Sequence, residues 1–311
     1  MPVVPAAERH PLVRPFLKWA GGKRQLLRDL RRFIPPAFGA YHEPFLGSGA
    51  LFFDLWNAGL LERVRCQLGD ANADLIGVYQ ALAGETEAVI AELRALAALH
   101  ARDGAAAYYQ VRDHLFNPQR RARAAAGGEL YSHRLAAMFI YLNRTGYNGL
   151  FRLNSSGDFN VPVGRYANPR ICDEDKLRAA AGVLTASSVT LRLQSFTEVE
   201  SAVGPGDLVY FDPPYAPLSP TARFTAYTAA SFSADDQQSL QALVVRLAAR
   251  ECAVIVSNST AEVVRDLYES RAAREAGFVT HRIPARRAIN SQGKKRGTVD
   301  EFVISNVRPR D

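Results

Sequence analysis

Asp212-Pro213-Pro214-Tyr215 places a carboxylate, a rigid turn and an aromatic ring directly after the apolar run Leu208-Val209-Tyr210-Phe211. The C-terminal end of a strand is where open α/β sheets put their chemistry. Neither proline has a backbone N–H and both have fixed φ, so strand pairing stops there and the carbonyls are held in one direction. Together with Asp212 they form an edge that only accepts hydrogen bonds. Such an edge suits a planar exocyclic amine, whose two N–H groups need acceptors, and Tyr215 adds a face for a flat heterocycle. An amino nitrogen on a base is the substrate atom this implies. A buried Asp before a proline turn is also a common way to end a strand, so the tetrapeptide needs company.

A second cluster supplies it. Glu43-Pro44-Phe45-Leu46-Gly47-Ser48-Gly49-Ala50 reads as a short strand, a glycine turn and a helix start, with Gly69-Asp70-Ala71-Asn72 ending the next apolar stretch. Gly47 and Gly49 let backbone approach a ligand closely, and an acid about 20 residues further on can bind ribose hydroxyls. The third glycine of the dinucleotide fingerprint is missing, so a smaller nucleoside cofactor is expected. Near the N-terminus, Phe16-Leu17-Lys18-Trp19-Ala20-Gly21-Gly22-Lys23 sets paired glycines between an indole ring and two cations. A sulfonium over an aromatic face gains about 0.5–2 kcal/mol by cation–π attraction, and Lys18 or Lys23 can meet a carboxylate or phosphate.

In this order, the four motifs resemble the Dam family of S-adenosylmethionine-dependent DNA N6-adenine methyltransferases. Two further segments are similar to that family: Tyr141 to Pro162, which matches the GATC-reading hairpin, and Ala216 to Tyr227, after the catalytic motif. The resemblance runs from about Phe16 to about Glu301. It implies catalysis by Asp212, Pro213, Pro214 and Tyr215, with the target adenine flipped out of the duplex. It also implies that S-adenosyl-L-methionine is held by Trp19, Lys23, Phe45, Gly47, Gly49, Asp70 and Asp212, joined by Asn72 and Phe196. For DNA it implies Lys18 and Arg152 on base edges, Tyr147 intercalated, Asn148 on the orphaned thymine, and Leu150 and Pro162 beside bases. Ser219, Thr221 and Arg223 would contact phosphates. An N4-cytosine enzyme would use a similar site but usually has Ser in place of Asp212. A catalytically silent DNA-binding regulator would be expected to have lost Asp212 or the glycine turn, and a nicotinamide-dependent oxidoreductase is disfavoured by the missing glycine.

The elements that must position these groups can be read from periodicity. Val189 to Leu191, Leu208 to Tyr210, Ala253 to Val256 and Phe302 to Ile304 read as strands alternating with helices. From Leu75 to Leu99, apolar residues recur at helical spacing with a break at Gly84, and Tyr131 to Leu142 is a second helical stretch. Gly146, Asn148, Gly149, Asn154 and Gly157 then punctuate short aromatic runs, which predicts a β-hairpin at about 146–167. The fold class expected is α/β: a Rossmann-like methyltransferase catalytic domain formed by residues 1–73 and 170–311, interrupted by a helical and hairpin DNA-recognition domain at 74–169.

Composition agrees with that reading. The 311 residues, 48% hydrophobic, can bury a sizeable core, and the formal charge of +7 suits a polyanion such as double-stranded DNA. Arg120, Arg121 and Arg123 form one basic cluster, and Arg282, Arg286, Arg287, Lys294, Lys295 and Arg296 another. Cys66, Cys172 and Cys252 are scattered, and the six histidines lack ligand spacing, so neither disulfide nor metal is expected. No signal-like or membrane-length apolar run occurs. A cytoplasmic protein, monomeric in solution, is the expectation.

Overall fold

A computed structural model describes residues 12–19, 21, 23–128, 131–216, 232–286 and 298–310, with Arg24, Ala285, Arg286, Thr298 and Val299 described in backbone only. Seven strands make one sheet: β1 (Ala40–Glu43), β2 (Arg65–Asp70), β3 (Val189–Leu193), β4 (Leu208–Phe211), β5 (Ala253–Ser259), β6 (Val279–Arg286) and β7 (Thr298–Ser305). Their spatial order is β3-β2-β1-β4-β5-β7-β6. The first five are parallel, and β7 runs antiparallel between β5 and β6. This is an α/β, Rossmann-like fold.

The order has a functional consequence. From β1 the chain winds outward one way to β2 and β3, and the other way to β4 and β5. The sheet's topological switch point therefore lies between β1 and β4, whose C-terminal ends open a crevice that no crossover covers. Alternation within the strands explains why both faces are packed. On β4, Leu208 and Tyr210 join one core cluster, while Val209 and Phe211 join another on the opposite face.

Eleven α-helices are described: α1 (Leu27–Arg31), α2 (Ala50–Asn57), α3 (Ala73–Gly84), α4 (Thr86–Asp103), α5 (Ala105–Tyr109), α6 (Asn117–Ala125), α7 (His133–Thr145), α8 (Glu174–Leu184), α9 (Ala234–Ala249), α10 (Glu262–Tyr268) and α11 (Arg271–Glu275). A π-helical stretch, Gln110–Phe116, joins α5 to α6. Asn72 caps α3 by accepting from the amides of Asp74 and Leu75, and Gly84 precedes the junction with α4. Helix α7 packs on α3 and α4, and its residues from Leu135 to Asn143 are all buried. Among the described residues no helix is long and apolar enough to cross a membrane.

Two segments read in the sequence gain detail in the structure. The segment at 146–167 doubles back antiparallel: Gly146 bridges Val163 and Leu153 bridges Phe159, and backbone hydrogen bonds join Tyr147 to Pro162, Arg152 to Asn160 and Asn154 to Asp158. Asn148 and Gly149 both take left-handed backbone, φ 54° and 64°, and Pro162 has no amide to donate, so the ladder is interrupted and no regular strand forms. The region of Arg282 and Arg286 is β6, a strand, where composition reads only as a basic cluster.

Candidate functional site

Two turns flank the switch point, one after β1 and one after β4. Gly47 and Gly49 take φ 49° and 65°, which side chains with a Cβ rarely adopt. A Cβ on Gly47 would also stand 3.0 Å from the Trp19 ring. Asp70, at the end of β2, holds this turn: its Oδ2 accepts from the Gly47 amide at 3.1 Å and its Oδ1 from the Asn72 amide at 2.9 Å. Burial pushes the Asp70 carboxyl up, and the amides of Asn72, Gly47 and Ala71 pull it back. The Tyr79 hydroxyl donates to the Gly47 carbonyl at 3.2 Å. Gly47, Asp70 and Asn72 are thus one bonded unit.

Aromatic rings border that unit on two sides. Trp19 lies nearly parallel to Phe139 and Phe151, with centroids 6.5 and 6.0 Å away. Phe45 stacks on Phe196 at 5.4 Å and meets Phe232 edge-on at 5.6 Å. All three of these phenylalanines are half-buried, which leaves ring surface for a flat ligand. Phe232 escapes the sequence reading because it lies just past the last matched segment, Ala216 to Tyr227.

Across the crevice, Asp212 follows β4. Lys23, only 4% exposed, brings its Nζ to 2.8 Å from Asp212 Oδ1 and donates to the Gly21 carbonyl at 2.7 Å. The Lys23 ammonium occupies Oδ1, and with the Asp212 side chain 21% exposed the carboxylate keeps lone pairs for a ligand. Burial pushes the Asp212 carboxyl up to about 6, the Lys23 ammonium opposes the rise, and Glu301 adds to it. Lys23 also stands 4.4 Å from the Tyr215 ring centroid, so one face of that ring already meets a cation.

A buried polar network fixes the turn from behind. Gln237 of α9 donates to the Pro214 carbonyl at 3.3 Å, and its own Oε1 accepts from Asn258 of β5 at 3.0 Å. Ser259 Oγ donates to the Ala216 carbonyl at 2.7 Å. Glu43, at the end of β1, is buried and accepts from the Tyr41 hydroxyl at 2.6 Å; burial pushes its carboxyl up to about 8. None of Gln237, Asn258 and Glu301 is singled out by the sequence, although the polar Ser257-Asn258-Ser259 ending an apolar strand is a readable signal.

Candidate base-reading residues gather elsewhere, around α7's C-terminus. Asn143 is buried; its Oδ1 accepts from the Lys18 amide at 2.8 Å, and its Nδ2 donates to the carbonyls of Lys18 at 2.7 Å and Gly149 at 3.0 Å. This amide clips the N-terminal motif to the turn at 147–149. Lys18 Nζ donates to the Arg144 carbonyl at 3.3 Å and sits 3.9 Å from the Tyr166 ring centroid; burial, then Arg144, lowers its pKa. Tyr147 is 43% exposed and its amide donates to the Pro162 carbonyl at 2.9 Å. Pro162 is exposed, while Asn148 and Leu150 are half-buried. Arg152 projects from the surface with Nε on Asn160 Oδ1 at 2.8 Å. Behind the return limb, Asn117 donates to the Phe159 carbonyl at 3.0 Å and accepts from its amide at 2.9 Å.

Ser219, Thr221 and Arg223, like Ala20, Gly22, Arg287, Lys294, Lys295 and Arg296, lie outside the described residues.

Comparison with known proteins places this geometry in a family. The family model of the D12 class N6 adenine-specific DNA methyltransferase matches residues 19–289. The Type II methyltransferase M1.LlaDCHI of Lactococcus lactis subsp. cremoris is 34% identical over 294 residues, covering 94% of this chain and 95% of its own. The Type II methyltransferase M.MjaIII of Methanocaldococcus jannaschii is 36% identical over 305 residues, covering 94% and 99%. The DNA adenine methylase of Escherichia coli (strain K12) is 35% identical over 290 residues, covering 93% and 94%.

Proposed function

The chain belongs to the D12 class of N6 adenine-specific DNA methyltransferases, and from that premise we propose that it methylates adenine N6 within GATC in duplex DNA, using S-adenosyl-L-methionine and extruding the target base. The observation that carries the chemical half of this reading is Asp212 at the switch point, a carboxylate whose Oδ1 is held by the buried Lys23 ammonium while its side chain stays 21% exposed.

The cofactor fits the residues present. Asp70 is a carboxylate with both oxygens on amides and lone pairs to spare for ribose hydroxyls. Phe45 and Phe196 offer partly exposed faces to an adenine, with Phe232 beside them. Trp19, Lys23, Gly47, Gly49 and Asn72 complete the proposed set around the turn. When bound, the cofactor supplies a methyl group activated by a sulfonium.

The adenine N6 lone pair is delocalised into its ring and attacks poorly. Asp212 and the Pro213 carbonyl accept the two N6 hydrogens, which orients the nitrogen and localises its lone pair. Lys23 opposes the effect of burial and keeps Asp212 ionised near neutral pH. Pro213 and Pro214 fix the turn's direction, and Tyr215 stacks on the extruded base. The N6 proton departs after the new N–C bond has formed. Paired and stacked adenine cannot present this edge, which is why the base must leave the duplex.

For recognition, residues 74–169 act as the reading domain inserted in a catalytic domain of 1–73 and 170–311. Arg152 addresses a guanine O6/N7 edge, the exposed Tyr147 fills the space the adenine vacates, and Asn148 meets the orphaned thymine. Lys18, Leu150 and Pro162 border the neighbouring bases. Incubating the protein with duplex DNA and radiolabelled S-adenosylmethionine, followed by nucleoside analysis, tests the reaction. N6-methyladenine is expected, and label confined to cytosine, RNA or protein rejects it. Methylation of GATC against each singly substituted site tests the sequence preference, which indifference among sites would reject.

A further inference from the structure

Glu301 lies on β7, paired with Ser259 of β5 and Ile283 of β6. Its Oε2 accepts from the Tyr215 hydroxyl at 2.5 Å. On the other side, the same ring faces Lys23 Nζ at 4.4 Å, and Lys23 pairs with Asp212 at 2.8 Å. Four side chains therefore run in contact across the crevice, from β7 to the end of β4, with the Tyr215 ring in the middle. The neighbouring register position on β5 helps as well, since Ser259 holds the carbonyl of Ala216, the residue after Tyr215.

The physical effect of this arrangement is on the ring's freedom. A tyrosine in a turn can rotate about Cα–Cβ, and a ring that swings cannot present a fixed face to a base. Anchoring the far end through a charge-assisted bond removes that rotation. It also enriches the ring in electrons, which strengthens its hold on the Lys23 ammonium. Burial pushes the Tyr215 hydroxyl far up, so it stays a donor and Glu301 the acceptor.

We propose that Glu301 is a positioning residue for base capture: through the Tyr215 hydroxyl it sets the angle of the ring on which the extruded adenine stacks. The proposal rests on the reading that Tyr215 stacks on that base. Glu301 touches neither base nor cofactor in this role; it acts through Tyr215.

The test uses the full chain and four variants: Glu301→Ala, Glu301→Gln, Tyr215→Phe and the Glu301→Ala/Tyr215→Phe double variant. Single-turnover methyl transfer to a GATC duplex is measured alongside the fluorescence lifetime of a duplex with 2-aminopurine at the target position, a readout that needs no methyl transfer. Glu301→Ala is expected to slow transfer about tenfold, the scale of one lost charge-assisted hydrogen bond, to lengthen the 2-aminopurine lifetime as stacking is lost, and to leave duplex affinity unchanged. Glu301→Gln, which keeps a carbonyl acceptor, should restore most of the lifetime. In the Tyr215→Phe background the Glu301→Ala change should add nothing, because the hydroxyl it acts through is gone. A full additional loss in that background, or an unchanged lifetime in Glu301→Ala, overturns the role. Wild-type protein that transfers no methyl group to adenine overturns the functional reading and this proposal with it, so the two failures are told apart by the wild-type reference.

Discussion

Around Asp212 polar side chains join one connected network, whereas between Gly146 and Val163 they reach the surface from a short antiparallel loop. Lys23, Gln237, Asn258 and Ser259 converge on a turn of five residues. Tyr147, Arg152 and Pro162 by contrast are exposed, and Asn143 and Asn117 fix only the backbone behind them. The difference fits two different tasks. A group that must favour one charge distribution is most effective when it is preorganised and dry, while a group that reads a base edge must first reach it, and order on binding suffices.

The strongest way to break this comparison is to remove the acceptor at its centre. Asp212→Ala should reduce single-turnover methyl transfer by at least about 100-fold, the loss expected for a preorganised electrostatic contact, while duplex binding survives because the reading segment is untouched. A rate near wild type would exclude Asp212 from the chemistry. Equal losses of rate and duplex affinity would mean that the two regions are not separable.

Asn143 is the link between them and the next most sensitive position. Asn143→Ala orphans the Lys18 amide and the carbonyls of Lys18 and Gly149. A buried polar group left unpaired costs about 1–3 kcal/mol, so denaturant unfolding should show a loss of at least that size. At temperatures where the variant stays folded, discrimination among sites should suffer more than binding of S-adenosylmethionine, read by isothermal calorimetry. A variant that loses cofactor affinity first would show that the clip serves the glycine turn instead.

Arg152→Ala sharpens the comparison at a single side chain. A bidentate arginine–guanine pair is worth about 1–3 kcal/mol of discrimination, so the variant should relax preference at one base pair of GATC and leave the others. The loss of a phosphate contact would behave differently, weakening all sequences alike and flattening the salt dependence. Methylation rates over the singly substituted sites at two salt concentrations decide between these outcomes.

The same contrast explains what could be read in the sequence. The turn at Asp212 is legible because it follows an apolar run that must be a buried strand, and a parallel strand's C-terminal end is where function sits. The turn at Gly47 is legible from its glycines, since the strand before it is Ala40–Glu43, with His42 and Glu43 in it, and not the stretch from Glu43 to Leu46. Strands β4, β5 and β7 appear at their buried apolar runs, and β3 appears at its alternating run although it is a partly exposed edge strand. Strand β6 is an edge strand carrying His281, Arg282 and Pro284, so its composition hides it. The helical stretch from Ala105 to Ala125 is rich in alanine and arginine and lacks a full apolar stripe. Tyr215 and Glu301 are 86 positions apart, and Asn258 and Gln237 are 21 apart on different elements. Contacts of that kind leave no local periodicity, so a buried polar network becomes visible only when the sheet brings its members together.

The last test concerns stability, and it asks whether the buried acids beneath the site weaken the fold. Burial raises Glu43 from an ordinary value of 4.5 to about 8. Between those two values the unfolded chain has released this proton and the native protein still holds it. The stabilisation from the protonated form is therefore complete below about 4.5, falls as pH rises, and is gone above about 8. Asp212 acts in the same sense over a lower window, from 3.8 to about 6. Glu43→Gln removes the titration but can still accept from the Tyr41 hydroxyl. Relative to this variant, wild-type stability from urea unfolding should fall with pH by up to about 1.4 kcal/mol per unit, one proton's worth, between pH 6.5 and 8. Above pH 8 the two curves should run parallel, with the glutamine variant the more stable. If they already run parallel below pH 8, Glu43 is ionised in the native protein, and the site region stores no strain from this acid. Activity gives an independent check on Asp212. Methyl transfer should fall as pH drops through about 6, because a protonated carboxyl there is a weaker acceptor for the N6 hydrogens.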